Sequence, residues 1–244
     1  MLCADDGTPL ARLRLRDDDG RRVADGVTPL PGAVLGLLAT QARRDLAGTR
    51  LETSDEALAD ALVGTGLRLR RAATDMRHDL TDLPPPVVLP AGWALGAPGW
   101  DDDLAEGCAA AYGPEHPDGA WQESDTRQIR AMFDEGDPVP PLTVASARVV
   151  GPDGRSAGHV LCAGPVPWTD DGCGWILNLA VAPYAQGRGL GRALLDHALR
   201  GTRAAGLPTL GLSVADANPA RRMYDRAGFR PVTRVLTFHL PDQI

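Results

Sequence analysis

The chain has 244 residues, 43% apolar and 23% charged, which is globular composition and enough length for one large domain or a full domain with a smaller companion. Its 25 basic side chains, all arginine, and 32 acidic ones give a net charge of −7, without the basic footprint of a nucleic-acid or membrane-surface binder. No uncharged stretch reaches the ~20 apolar residues of a membrane span, and the N-terminus lacks the basic-then-apolar pattern of a signal peptide, so a cytoplasmic protein is expected.

In chain order, Leu10–Arg16 and Arg21–Val27 read as a hairpin around Asp17-Asp18-Asp19-Gly20. Ala33–Leu46 is predicted helical, Thr49–Thr53 extended, Asp55–Val63 helical and Leu67–Met76 extended. Asp82-Leu83-Pro84-Pro85-Pro86 then breaks the pattern, because three successive prolines remove three backbone donors and favour an extended linker. That break predicts an N-terminal part, 1–83, and a C-terminal domain, 87–244.

In the second part, Val87–Leu95 reads as a weak strand. Asp101–Ala111 and Ser124–Glu135 read as helices that open on N-cap residues. Leu142–Val150 and Ser156–Cys162 are strand-like and flank the turn sequence Gly151-Pro152-Asp153-Gly154. Gly174–Val181 is a mostly apolar run, as in a strand buried on both faces. Leu190–Ala205 carries apolar residues at 190, 194, 195, 198 and 199, which is helical spacing, and Gly206 suits its C-terminal end. Thr209–Val214 is a short strand, Pro219–Ala227 a short helix followed by Gly228, and Arg230–Leu240 extended. The four cysteines, at 3, 108, 162 and 173, form no Cys-x-x-Cys pair, so reduced thiols and no metal site are expected.

The informative stretch is Gln186-Gly187-Arg188-Gly189-Leu190-Gly191-Arg192, a glycine-rich loop between a strand and a helix. First-turn amides of a helix have no internal partners, and the helix dipole adds positive potential there. Glycines at 187, 189 and 191 allow close backbone approach, and Arg188 and Arg192 add charge, so the loop can cradle a pyrophosphate. It is neither a Walker loop, lacking Lys-Ser/Thr, nor the dinucleotide Gly-x-Gly-x-x-Gly.

A second segment, Leu212–Phe229, follows with Asn218-Pro219, Tyr224 and Gly228-Phe229. Together the two segments resemble the GNAT superfamily of N-acetyltransferases, whose acyl-CoA motif is Gln/Arg-x-x-Gly-x-Gly/Ala. The resemblance implies an α/β fold: a GNAT-like mixed sheet flanked by helices, with fourth and fifth strands, Trp175–Ala182 and Thr209–Val214, splayed apart. It implies acetyl-CoA as co-substrate, its pantetheine paired with the backbone of Leu179-Ala180-Val181 and its pyrophosphate on the loop amides from Gln186 through Gly187, Arg188, Gly189, Leu190 and Gly191 to Arg192. Asn218 falls where the family contacts the pantetheine side, Tyr224 where it carries its general acid, and a backbone N–H near Leu179 where an oxyanion is stabilised.

The general base is left open. The fourth strand carries no carboxylate, and Asn178 is its only polar side chain. Ser213 stands where some relatives that acetylate peptide N-termini carry Glu. A base could come from 112–117, which includes His116, or from 122–125, and Trp100, Trp121 and Trp168 could wall an acceptor pocket. In the N-terminal part, Asp55–Leu67 lies on Ala217–Phe229 without gaps, with Glu56 on Asn218 and Leu62 on Tyr224. This reads as a small α/β half-repeat, a degenerate partial GNAT domain that has lost its loop, Asn and Tyr. The expected activity is direct acetyl transfer to a small-molecule or amino-acid-like amine by a monomer or homodimer. A non-catalytic acyl-CoA-binding regulator and acetylation of a protein amine are the alternatives.

Overall fold

The computed structural model describes residues 1–18 and 20–242. The N-terminal elements are β1 (Leu2–Cys3), β2 (Pro9–Asp18), β3 (Arg21–Pro29), α1 (Leu35–Asp45), β4 (Arg50–Thr53), α2 (Glu56–Gly64) and β5 (Leu69–His78). They are followed by β6 (Ala94–Gly96), α3 (Asp102–Ala111), α4 (Glu123–Asp134), β7 (Ala147–Val150), β8 (Ser156–Ala163) and β9 (Gly174–Val181). The last are α5 (Leu190–Ala204), β10 (Leu210–Ala215), α6 (Arg221–Ala227) and β11 (Arg230–His239).

Local signals account for most of these boundaries. Asp55 and Asp101 cap α2 and α3 by accepting from the N–H groups of Leu58 and Leu104. The Asp17–Gly20 turn joins β2 to β3, with Asp17 accepting from the Gly20 N–H; Asp19 lies outside the described residues. Two expected strands are shorter than their composition suggests. Val87–Leu95 contributes to the ladder only from Ala94, since prolines at 84, 85, 86 and 90 remove donors. Of Leu142–Val150 only the last four residues form a strand, although the Leu142 N–H still donates to the Cys162 carbonyl of β8 at 2.7 Å. Leu142–Ser146 instead folds as a turn, with the N–H groups of Ala145 and Ser146 donating to the Leu142 carbonyl. α5 lies so close to this turn that a Cβ at Gly201 would strike the backbone of Val144 and Ala145.

The described residues divide into two compact units, and the division is not at the prolines. One unit comprises Met1–Thr74, Ala215–Ala217 and the segment from Thr233 onward; the other comprises Asp75–Val214 and Asn218–Val232. This differs from the expected 1–83 and 87–244, and the cause is strand pairing. β11 lies antiparallel to β4, with Leu236 opposite Thr53 and Phe238 opposite Leu51. Leu236 and Phe238 are thereby buried with Leu38, Leu51, Leu58 and Leu62. Met76 and Leu80 are buried with Val149, Leu194 and Leu212.

In the first unit the strand order is β1-β2-β3-β4-β11, with α1 packed on α2. In the second it is β5-β10-β9-β8-β7-β6. Here α3 contacts β8 and β9, and α5 contacts β7, β8 and β9. Strand β8 is buried along its whole length, as the centre of a covered sheet requires. One succession of elements occurs twice: β3-α1-β4-α2-β5 and β9-α5-β10-α6-β11. In both, the first two strands pair in parallel, Val23 opposite Arg50 and Gly174 opposite Leu210.

Candidate active site

β9 and β10 are paired only at their first residues, Leu210 with Gly174 and Gly211 with Trp175. Both strands then continue, β9 to Val181 and β10 to Ala215, and the ladder between them does not. β9 is also bulged. Leu161 of β8 faces Asn178 and Cys162 faces Ile176, which leaves Leu177 as an extra residue. A bulge bends its strand and interrupts the ladder locally, so β9 turns away from β10 and its backbone at 177–181 borders an opening.

The glycine loop closes one end of this opening. Gly187 and Gly189 have φ of +76° and +80°, the left-handed region in which a side chain is strained, and Gly189 is the N-cap of α5. Gly191 is helical, and a Cβ there would make only ordinary contacts, the nearest being Met223 Sδ at 3.6 Å. Only the first two glycines are therefore demanded by the backbone itself. Residues 186–189 are exposed, and no acidic side chain occupies the first turn of α5. Gln186 Nε2 donates to the Val181 carbonyl at 2.9 Å, tying the loop to the end of β9. The Arg188 guanidinium lies over the Trp93 ring, 6.0 Å from its centroid. The arrangement suits an anion: free first-turn amides, two arginines and no carboxylate.

Two tyrosines border the opening. Tyr224, on α6, is buried, with its ring edge-on to Phe229 at 5.9 Å. Burial raises its pKa, and the carboxylate of Asp118 raises it further, so the phenol keeps its proton at neutral pH. Tyr112, at the end of α3, opens the 112–117 segment that the sequence offered as a source of the base. Its hydroxyl accepts from Asn178 Nδ2 at 3.2 Å and donates to the Leu179 carbonyl at 3.4 Å. Asn178 Oδ1 is 2.6 Å from His159 Nε2. Burial holds His159 down to about 4, so its ring is neutral at pH 7 and Nε2 carries the hydrogen that Asn178 accepts. A continuous chain, His159–Asn178–Tyr112, thus runs from the sheet interior to the backbone of Leu179.

Asn218 caps the entry to α6 and reaches across the site. Its Oδ1 accepts from the Ala220 N–H at 2.8 Å, and its Nδ2 donates to Asp118 Oδ2 at 2.6 Å. Asp118 falls between the two segments read as sources of a base, and sequence reasoning passed over it. The groups named there are engaged elsewhere. His116 Nδ1 accepts from the Asp118 N–H at 3.2 Å, and its ring lies 4.4 Å from that of Tyr112. Asp125 accepts from the Gln122 N–H in a capping box, and exposed Glu123 pairs with Arg127. The expected aromatic wall exists in part. Trp100 and Trp121 stack at 5.9 Å and Trp121 lies 5.6 Å from Tyr112, whereas Trp168 is set apart against Trp175. Among the described residues no group of three or more His, Cys, Asp or Glu could hold a metal ion, and no helix is long and apolar enough to cross a membrane.

Comparison with known proteins bears directly on this arrangement. The profile of the acetyltransferase (GNAT) family matches residues 92–229. The chain belongs to this family. A mycothiol acetyltransferase of Actinosynnema mirum is 30% identical over 235 residues, which cover 94% of this chain and 74% of that protein. One from Acidothermus cellulolyticus is 34% identical over 180 residues, 68% of this chain and 53% of its own length. The chain thus spans about half the length of that relative and of its Streptomyces avermitilis counterpart. The fold agrees with that of a GCN5-related N-acetyltransferase from Sphaerobacter thermophilus at a TM-score of 0.67, with 20% identity over 99% of this chain and 80% of that one. It also agrees with a tandem GNAT protein from the clavulanic acid biosynthesis pathway at 0.60, with 18% identity over 95% of this chain and 79% of the other. The GNAT match takes in β9, the glycine loop, α5, β10 and α6 together, the elements that build the opening.

Proposed function

We propose that the chain is an acetyl-CoA-dependent N-acetyltransferase whose chemistry resides in residues 87–244, with 1–83 a degenerate partial repeat that carries none. The observation that carries this reading is the opening between β9 and β10, with an anion-suited loop at one end and a protonated tyrosine at its side. Pantetheine would add along β9 at Leu179, Ala180 and Val181 as an extra strand. The pyrophosphate would rest on the amides from Gly187 to Arg192, with Arg188 free to leave Trp93 for it. Gln186 serves by fixing the loop to Val181, and Asn218 by shaping the entry to α6.

The reaction needs a neutral amine, a stabilised oxyanion and a proton for the departing sulfur. The amine nitrogen attacks the thioester carbonyl, whose oxygen becomes the oxyanion and takes a backbone N–H near Leu179, where the bulge has loosened the ladder. When the C–S bond breaks, Tyr224 gives its proton to the thiolate, and the phenolate recovers one from the acylated nitrogen. In the repeat, the counterparts are spent on structure. Leu62 is fully buried in the first unit's core, and Glu56 pairs with Arg234 at 2.9 Å. The relatives' name, mycothiol acetyltransferase, favours a small mycothiol-type acceptor over a protein.

The test is Tyr224→Phe, which keeps the ring against Phe229 and deletes the proton donor. Thiol release is expected to fall roughly 10²-fold or more in kcat, with acetyl-CoA affinity by calorimetry unchanged. Equal turnover would remove Tyr224 from the reaction. Tight acetyl-CoA binding with no turnover in the wild type would favour an acyl-CoA-binding regulator.

A further inference from the structure

We infer that Asp118 is the carboxylate that receives the acceptor amine as its ammonium ion and takes a proton from it before attack. The inference rests on the acetyl-transfer reading above and supplies the group that β9 lacks. Asp118 is carried by the loop between α3 and α4, on the side of β9 bordered by Tyr112 and Trp121. It is half-buried and fixed from two directions. Its Oδ2 accepts from Asn218 Nδ2 at 2.6 Å, and its N–H donates to His116 Nδ1 at 3.2 Å. The first bond ties this loop to the entry of α6, the helix that carries Tyr224. The carboxylate is close enough to both tyrosines to make each harder to ionise. Its titratable neighbours include Tyr112 and His116 from the α3 end and Tyr224 from α6.

The proton balance closes. An alkylammonium, with a pKa near ~10.4 in water, loses hydration on entering the site, which favours the neutral amine, and gives one proton to Asp118. The neutral amine forms the C–N bond, and the C–S bond breaks as the sulfur takes the Tyr224 proton. The second nitrogen proton restores Tyr224. Asp118, not fully buried, returns its proton to water. Products are the amide, the free CoA thiol and one proton.

Asp118→Asn tests this, because the introduced amide oxygen can still accept from Asn218 and the loop keeps its clasp. Purified full chain is assayed for thiol release with acetyl-CoA and a panel of benzylamine, L-phenylalaninamide and glucosamine, and separately with hydroxylamine, which is uncharged at neutral pH. For the best alkylamine, kcat/KM is expected to fall at least about 100-fold, while hydroxylamine turnover changes less than about threefold. The variant's alkylamine kcat/KM should climb about tenfold per pH unit, following the free-amine fraction, where the wild type is flat. As a second variant, Asn218→Ala leaves the carboxylate and removes its tether. It should lower kcat/KM for alkylamines while preserving the flat profile. Equal losses with alkylamine and hydroxylamine, or an Asp118→Asn profile like the wild type's, would overturn the assignment and leave the acetyltransferase reading intact. Wild-type chain that binds acetyl-CoA and acetylates none of these amines would overturn both.

Discussion

At the scale of single residues, the polar side chains inside the second unit set how the protein responds to acid. His159 is buried, bonded to Asn178 through Nε2 and lies 3.8 Å from Cys108 Sγ, whose own pKa burial pushes up to about 12. The His159 ring titrates at about 4 in the folded chain against 6.5 when free. The folded pKa is the lower one, so the unfolded chain binds the extra proton first. Stability is complete above about 6.5 and is lost as pH falls towards 4, by on the order of 3 kcal/mol in all and about 2 kcal/mol by pH 5. His78 is shifted in the same direction by burial and adds to the trend. Urea denaturation at pH 7 and pH 5 should show this loss in the wild type and a smaller one in His159→Gln. An unchanged pH dependence in that variant would show that His159 does not govern acid stability. Asn178 was visible in the sequence as the one polar side chain of its strand. Its partners were not, because His159 and Tyr112 lie 19 and 66 residues away and meet it only through the β8–β9 register and the seating of α3.

At the scale of elements, the local sequence carried most of the site. The run Gly174–Val181 and the 190/194/198 spacing define β9 and α5 within a residue, because side-chain burial alone dictates those patterns. The early end of the β9–β10 ladder was legible only through family resemblance, and the bulge at Leu177 not at all, since an apolar run has no mark for where pairing stops. The N-terminus of α5 offers a sharp test of the loop. Gly189→Asp places a carboxylate at a position with φ +80°, where aspartate is tolerated better than most side chains and also serves as an N-cap. Fold stability should therefore change by no more than about 1 kcal/mol, while acetyl-CoA affinity falls about 30-fold through repulsion of the pyrophosphate. Gly189→Ala, with the same backbone demand and no charge, should lose less. Calorimetric titration of both variants decides the matter, and equal affinity across wild type and Asp variant would reject the loop as the phosphate site.

At the scale of the whole molecule, the two compact units do not divide at the prolines, because proline runs report local stiffness and not long-range pairing. Pro84–Pro86 lies outside helix and strand, and the segment before it, Asp75–Leu83, belongs to the second unit. Met76 is fully buried there, Leu80 is nearly so, and the Leu80 N–H donates to His78 Nδ1 at 2.9 Å. The His78 ring in turn packs against Gly228 and Phe229, where a Cβ on Gly228 would sit 2.9 Å from Nε2. A fragment cut at the prolines, 87–244, loses these contacts. Two buried apolar side chains of this size are worth roughly 2–5 kcal/mol each, against a whole-domain stability of about 5–15 kcal/mol. It also retains the strand segment after Thr233 without β4, leaving Leu236 and Phe238 uncovered. A fragment spanning 75–232 keeps Met76, His78 and Leu80 and sheds that segment. Circular dichroism and limited proteolysis should therefore find 87–244 without a cooperative transition and 75–232 with one. Calorimetry should find acetyl-CoA bound by the longer-rooted fragment alone. Cooperative unfolding and undiminished acetyl-CoA binding in 87–244 would return the boundary to the prolines and reduce β5 to a dispensable edge.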